Sequence, residues 1–422
     1  MRYYPSYMRL LVLSYISILW MFFQPSRRIL IRAFSSATER SIGRRFVYVA
    51  NTNQPRSTRR AILKSSLIRT SQLCLRSTLA QSLPQEHNQQ QQQQQEQHST
   101  MNDTNQHQQY HPLEMTDDEK YLFDLNGYLV IRNVLTPQEV EEANRVIDMH
   151  SDRFVQRNSG ALRNAIPNTK YYGTGPGRKD MGQVLEWGED SRVFRSILAH
   201  PRLVPLFHGI LGEGYRMDHL PMVIAQDKGA EGFQLHGGTI DCGTGEYNPF
   251  LAYHCQQGTI RSALLGCNVL LTDHNAGDGG FCIVPGSHKS NFKMPPGMRD
   301  GEMYDEFIRQ PVTKAGDVIL FSEGTVHGAM AWTSDRQRRA CLYRFAPATS
   351  VYGRSYFGHE PGHGWPSKMY EGLTEAQRAV LEPPYANRLD RPIIQPDGSV
   401  QMSSRSAQKK KHDQDVFGTK YF

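Results

Sequence analysis

The sequence has 422 residues, of which 38% are hydrophobic and 21% are charged. This composition supplies a sizeable core and excludes a collagen-like or wholly disordered chain. The formal net charge of +7 is concentrated in residues 1–85, which contain 14 Arg or Lys and a single acid, Glu39. The remainder has six more acids than bases, so the basic total gives no support for nucleic acid binding.

Residues 1–85 have the composition of a presequence. The apolar run Leu10–Phe23 is 14 residues long, shorter than the roughly 20 that span a bilayer, and it fits a signal-peptide core. The part that follows is rich in Arg and Ser, as transit peptides are. We expect import into an organelle, a mitochondrion or a plastid, with no stable membrane insertion of the mature domain. A start at Met101 or Met115 would instead give a cytoplasmic protein.

The rest of the chain divides by composition into three further parts. Residues 86–112 are polar and contain seven consecutive glutamines, Gln89 to Gln95, which predicts a disordered linker. Residues 113–400 have the apolar content of a globular domain. Residues 401–422 are predicted to be a polar, basic tail.

The domain begins with helical signals. Asp117–Asp124 predicts a helical turn, and 127–132 a strand because of its β-branched and aromatic residues. Thr136, Pro137 and Glu139 form a capping-box pattern that predicts a helix to about Arg153. Helical periodicity returns in 191–212.

Short β-like runs separated by glycine-rich turns dominate from Tyr215 onward. We expect strands at 222–225, 259–272, 281–284, 317–321 and 342–345. Helices followed by many short strands indicate an α+β or mainly β fold, with a barrel or sandwich flanked by helices.

Three of the 16 histidines lie in informative contexts. His236 follows an apolar strand in GFQLHGG, and His327 lies where a strand ends in GDVILFSEGTVHG. His288 lies in a PGSHK turn. Eleven residues after His327, Arg338 begins another β-like run.

These stretches carry a family resemblance. The opening FDLNGYLVIRNVLTPQEV from Phe123, then GDGGFCIVPGSHKS from Gly277 and AGDVILFSEGTVHG from Ala315, followed by Arg338, resemble the phytanoyl-CoA dioxygenase family of Fe(II)- and 2-oxoglutarate-dependent oxygenases. The resemblance covers just over half of the chain. It implies a double-stranded β-helix, the cupin-like jelly-roll, with flanking helices.

The resemblance also implies an iron site. Two histidines and one carboxylate on one face of the metal leave positions for bidentate 2-oxoglutarate and O2. By carry-over, His236 and His327 are the metal ligands, and Arg338 receives the distal carboxylate of 2-oxoglutarate through its planar fork. Asn268 either contacts the cosubstrate or is a satisfied core amide. The turn of His288 is structural in this family.

The sequence departs from the family pattern at the carboxylate. The family has His-x-Asp, whereas this chain has His236-Gly237-Gly238. In one interpretation a displaced carboxylate completes the site, with Asp241 the first candidate and Glu246 a weaker one. In a second, a halide takes the open position, as in related 2-oxoglutarate halogenases, which have Gly or Ala there. In a third, the jelly-roll binds a small molecule without catalysis.

The main hypothesis is a dioxygenase that hydroxylates an aliphatic C–H bond of a small metabolite or acyl substrate. Its cofactors would be Fe(II), 2-oxoglutarate and O2, with ascorbate as an optional reductant. A small-molecule substrate is expected and no nucleic acid. The sequence names neither the substrate nor the oligomeric state.

Overall fold

The computed structural model describes residues 112–157, 165–353, 364–384 and 390–418. The predicted presequence in 1–85 and the predicted linker up to residue 111 lie outside these residues. Both remain predictions.

The described residues contain seven α-helices in chain order. They are α1 (Asp117–Asn126), α2 (Pro137–Met149), α3 (Arg192–Ser196), α4 (Val204–Leu211), α5 (Pro296–Arg299), α6 (Glu375–Val380) and α7 (Ala407–Phe417).

Capping residues define where the first two helices begin. The side chains of Thr116 and Thr136 each accept a hydrogen bond from the backbone N–H of a glutamate three residues on, and each glutamate carboxylate accepts one from the backbone N–H of the cap residue. These are complete capping boxes, and the box at Thr136 was predicted. Helix α2 ends at Met149, earlier than expected, because Ser151–Arg153 forms a 3₁₀ turn.

The described strands run from β1 to β14. They are β1 (Tyr128–Ile131), β2 (Val155–Gln156), β3 (Lys179–Met181), β4 (Arg216–Gln226), β5 (Phe233–His236), β6 (Tyr253–Gln256), β7 (Thr259–Ser262), β8 (Leu265–Leu270), β9 (Gly280–Ile283), β10 (Val318–Ser322), β11 (His327–Met330), β12 (Arg338–Ala346), β13 (Arg391–Ile394) and β14 (Val400–Ser403).

Two antiparallel sheets of the described strands form the core of the domain. The larger has the order β1-β10-β8-β12-β4-β3-β2, and the smaller has the order β5-β11-β9. Chain neighbours such as β8 and β9, or β10 and β11, fall in different sheets, so the chain passes repeatedly between them. This mixed helical and antiparallel architecture is the jelly-roll with flanking helices that the sequence predicted.

Strand alternation divides the larger sheet into two faces. Cys267, Val269 and Tyr343 lie in the main hydrophobic cluster, together with residues of α2 and α4. Between them, Asn268 and Leu342 are cross-strand partners and both line a cavity. The helices therefore cover one face of the sheet, and the other face is free to form a site.

The extents of several strands differ from the prediction. β4 and β12 are longer than the apolar runs 222–225 and 342–345, since charged residues continue the pairing. The expected strand 259–272 is divided into β7 and β8, which belong to different sheets.

Ordered structure also extends into the predicted polar tail. Strands β13 and β14 pair as a hairpin, and α7 follows. Asp413 of α7 is buried and forms ion pairs with Arg405 and Lys409. These ion pairs thus stabilise regular structure in residues 401–418, where the polar composition had predicted a solvated tail.

No helix in the described ranges has the length and apolar content needed to cross a bilayer.

Candidate functional site

The smaller sheet brings two histidines together. His236 is the last residue of β5, and His327 is the first residue of β11. They are direct cross-strand partners, and their ring centroids lie 4.3 Å apart. The 91-residue separation in sequence is therefore closed by one antiparallel pairing.

Backbone carbonyls fix the tautomer of both rings. Nδ1 of His236 lies 2.9 Å from the carbonyl oxygen of Gln234, and Nδ1 of His327 lies 2.8 Å from that of Thr325. A carbonyl only accepts, so each Nδ1 carries the proton and each neutral ring presents the Nε2 lone pair. This is the arrangement of a metal-ligating histidine.

Burial keeps the two imidazoles neutral. It lowers the pKa of His236 to about 3, with the neighbouring His327 as a further cause. Burial also lowers the pKa of His327. Because a metal ligand must be unprotonated, both rings are ready to bind a cation at neutral pH.

Arg338 provides a buried cation in the same region. It is 3% exposed, Nη1 donates to Oε1 of Gln226 at 2.6 Å, and Nε has no hydrogen-bond partner among the described residues. Burial, followed by the nearby Arg178, lowers the pKa of Arg338 to about 10. The guanidinium therefore stays charged at neutral pH and retains a donor for an anion.

One cavity between the two sheets contains these groups. Asn268 also reaches it, and the side-chain carbonyl oxygen of this buried residue has no partner. The lining is an apolar wall with basic and imidazole groups: Arg157, Arg178, Met222, Ile224, Phe233, His236, Asn268, Phe281, Phe321, His327, Gly328, Ala329, Arg338, Leu342 and Arg344. The predicted convergence of both histidines and Arg338 on one cavity is confirmed. Their roles as ligands remain predictions.

The glycines after His236 are required by the backbone. Gly237 and Gly238 have φ of +83° and +100°, where side chains are strained. A Cβ at 238 would lie 2.5 Å from the carbonyl oxygen of Ile240, and a Cβ at 237 would lie 2.7 Å from that of Glu323. The aspartate of the family pattern therefore has no room in this local structure.

Asp241 is engaged elsewhere. Its Oδ1 accepts hydrogen bonds from the backbone amides of Gly243 and Thr244, at 3.0 and 2.6 Å. Burial acts to raise the pKa of its carboxyl, but the hydrogen bonds from Thr244 and Gly243, with the charge of Arg299, together lower it. Glu246, the weaker candidate, is exposed. The carboxylate of Asp241 thus stabilises its own turn, and its role as a metal ligand remains a prediction.

A different carboxylate lies beside the histidine pair. Oε2 of the buried Glu323 is 3.4 Å from Nε2 of His327, and Oε1 accepts from Nε of Arg344 at 2.6 Å. Burial alone would raise the pKa of Glu323, but the charge of Arg344 is foremost in lowering it to about 2, and the hydrogen bond from Arg344 adds to this. Sequence reasoning missed Glu323. Its signal was an acid at the end of an apolar strand, four residues before His327.

Part of the donor set for a metal ion is in place. Within the described residues, no three His, Cys, Asp or Glu side chains already surround one metal position. The two unprotonated Nε2 atoms fit the iron that the resemblance implies, and Nε of Arg338 fits a carboxylate of 2-oxoglutarate.

His288 has a structural position, as expected. Its Nε2 lies 3.0 Å from the carbonyl oxygen of Asp124, and the ring packs edge-on against Tyr253. Burial lowers its pKa to about 4. It connects the PGSHK turn to the end of α1.

Comparison with known proteins gives a family match. The model of the phytanoyl-CoA dioxygenase family matches residues 123–340. The ectoine dioxygenase of Streptomyces coelicolor is 24% identical over 228 residues, which cover 49% of this chain and 69% of the relative. That of Nocardia farcinica is 22% identical over 246 residues, 51% of this chain and 72% of the relative.

Solved structures of similar proteins include HygX from Streptomyces hygroscopicus with nickel and 2-oxoglutarate bound. It has 20% identity and a TM-score of 0.45, and the match covers 59% of this chain and 95% of that one. EctD from S. alaskensis, solved with 2-oxoglutarate and 5-hydroxyectoine, has 16% identity and a TM-score of 0.42, with 62% and 89% covered.

The family match spans more than half of the sequence and includes His236, His327 and Arg338. It confirms the resemblance drawn from the three motifs. The chain therefore belongs to the phytanoyl-CoA dioxygenase family, whose members are oxygenases dependent on Fe(II) and 2-oxoglutarate.

Proposed function

We propose that the protein hydroxylates an aliphatic C–H bond of a small molecule in the cavity between its two sheets. In this reaction O2 and 2-oxoglutarate are consumed, and the hydroxylated product, succinate and CO2 are formed. The observation that carries the proposal is the pairing of His236 with His327, both with unprotonated Nε2, in a cavity that also contains Arg338.

The two histidines would hold Fe(II). When bound, the iron with 2-oxoglutarate activates O2 for attack on an unactivated C–H bond. The hydrogen bonds from Nδ1 to Gln234 and Thr325 orient the rings and keep Nε2 available. His327 is buried and His236 is half-buried, so water has limited access to compete for the metal.

Arg338 would bind the distal carboxylate of 2-oxoglutarate. Gln226 holds one arm of the guanidinium, and the unpartnered Nε is available for a second bond. Arg338 forms no ion pair with an acid in the part of the chain that the structure describes, so the buried guanidinium needs an anion, which a dicarboxylate supplies. Asn268, on the neighbouring strand β8, would contact the same cosubstrate.

The apolar wall of the cavity suits a C–H substrate. Met222, Ile224 and Phe233 line it on one side, whereas Phe281 and Phe321 pack against each other with centroids 5.0 Å apart. Such surfaces position an aliphatic group and exclude water. The ectoine dioxygenases among the relatives act on a small molecule, in line with a substrate of that size.

The test measures succinate formed from 2-oxoglutarate by the full chain with Fe(II) and O2. His236→Ala and His327→Ala should each abolish Fe(II)-dependent turnover. His254→Ala is the control, since His254 lies on the exposed part of β6. Wild-type protein that neither binds 2-oxoglutarate in the presence of Fe(II) nor forms succinate would contradict the proposal.

A further inference from the structure

We propose that Glu323 is the third protein ligand of the metal, supplying the carboxylate that the sequence lacks at position 238. The inference rests on the function proposed above, since it concerns the same site. It places the carboxylate in the connection between β10 and β11, whereas the family pattern places it two residues after the first histidine.

The contact between Glu323 and His327 suits a shared metal ion. Nδ1 of His327 donates to the carbonyl oxygen of Thr325, so Nε2 is the ring atom left for a ligand. Oε2 of Glu323 lies 3.4 Å from this Nε2. A metal ion bound to both atoms would join them without a second proton on the ring.

The distance suits two ligands of one ion. Donor atoms about 2.1 Å from a metal and at right angles to each other are about 3.0 Å apart. The observed 3.4 Å is slightly longer, so a small side-chain rotation of Glu323 would complete the arrangement.

Neighbouring residues hold Glu323 in this position. Nε of Arg344 donates to Oε1 at 2.6 Å and leaves Oε2 directed at the histidines. Ligating carboxylates are commonly fixed by such an outer hydrogen bond. The lack of a side chain at Gly237 lets the backbone of Glu323 approach the end of β5, since a Cβ there would lie 2.7 Å from its carbonyl oxygen.

The assignment reconciles the glycine pair with an ordinary iron site. His236, His327 and Glu323 would form two-histidine, one-carboxylate coordination, with the remaining positions facing the cavity. A halide would then find no extra position in the wild-type protein. The backbone of the glycine pair has no room for a carboxylate side chain at position 238, and the missing side chain at Gly237 lets Glu323 lie close to the end of β5.

The competing explanation is a purely structural ion pair. In that case Glu323 serves only to neutralise Arg344, and any change that preserves neutrality leaves metal binding intact. A matched set of variants separates the two. Glu323→Gln removes the charge and keeps the shape, and Glu323→Gln combined with Arg344→Gln removes both charges together. Asp241→Asn is the control for the alternative carboxylate.

The experiment measures Fe(II) affinity of the full-length variants by anaerobic calorimetry with 2-oxoglutarate present. Losing an outer-shell partner of a metal ligand lowers affinity about 10–100-fold, so losing a ligand should weaken it at least tenfold. We expect this loss in the single and the double variant, and wild-type affinity in Asp241→Asn. The visible spectrum of the Co(II) forms gives a second readout: loss of a carboxylate ligand should change it in Glu323→Gln, and it should stay as in the wild type in Asp241→Asn.

The outcomes distinguish this inference from the proposed function. If the wild type binds Fe(II) and Glu323→Gln binds within twofold of it, the inference is overturned and the proposed function stands. If only the single variant is weakened and the double variant binds normally, the structural ion pair is correct and the inference is also overturned. If the wild type binds no Fe(II), the proposed function itself fails.

Discussion

Replacing Gly238 with Asp restores the family pattern in the sequence, yet we expect it to destabilise the protein without improving metal affinity. The residue has a φ of +100°, and a side chain held in such a conformation costs about 1–3 kcal/mol. Its Cβ would lie 2.5 Å from the carbonyl oxygen of Ile240 and 3.3 Å from Cγ2 of Val326. Relieving such crowding costs about a further 1–3 kcal/mol. The expected loss is a substantial part of the roughly 5–15 kcal/mol that stabilises a typical protein.

The assay is urea unfolding of wild type and variant at the same pH, combined with an Fe(II) titration. Gly182→Asp is the matched control, because Gly182 is exposed and a Cβ there meets no atom within 4 Å. It should change stability by less than about 0.5 kcal/mol. A Gly238→Asp protein as stable as the wild type, with tighter Fe(II) binding, would refute the reasoning about the glycine pair.

The site and the sequence give four further predictions. Arg338→Gln should raise the KM for 2-oxoglutarate at least tenfold. The side chain of Arg339 pairs with Asp148 on the outer face, so Arg339→Gln should leave this KM unchanged. Equal effects of the two substitutions would contradict the role assigned to Arg338. The metal-free protein should lose stability as pH falls below about 6.5, because His236 becomes protonated in the unfolded chain while it stays neutral in the folded protein, where its pKa is about 3. His236→Gln should reduce this slope in pH-dependent unfolding, and an unchanged slope would show that other groups cause it. Protein lacking residues 1–111 should unfold cooperatively and bind Fe(II) like the full chain, and loss of folding would contradict this. Residues 1–85 fused to a fluorescent protein should direct it to an organelle, and a diffuse cytoplasmic signal would contradict that.

Local signals in the sequence were sufficient for much of the fold. The capping box at Thr136 located the start of α2, and the β-branched run after Gly127 located β1. Strand ends were harder to predict, since β12 continues through Arg338 and Arg339, whose charges gave no apolar pattern. Pairing with β4 and β8 determines that strand, and pairing partners are not visible in a local window.

Some residues of the candidate site could be predicted from the sequence and others could not. His236, His327 and Arg338 were predicted because each lies in a recognisable motif, and all three line one cavity. Glu323 was missed because its proximity to the histidines depends on the close approach of two chain segments at Gly237. Asp241 was favoured because it is near in sequence, but backbone amides of its own turn satisfy its carboxylate.

The most direct test of the proposed function is a crystal structure of the full chain, grown anaerobically with Fe(II) and 2-oxoglutarate, with anomalous diffraction collected at the iron edge. We expect an iron peak about 2 Å from Nε2 of both His236 and His327, with the distal carboxylate of 2-oxoglutarate at Arg338. An iron peak elsewhere, or bound 2-oxoglutarate with no metal between the two histidines, would contradict the account.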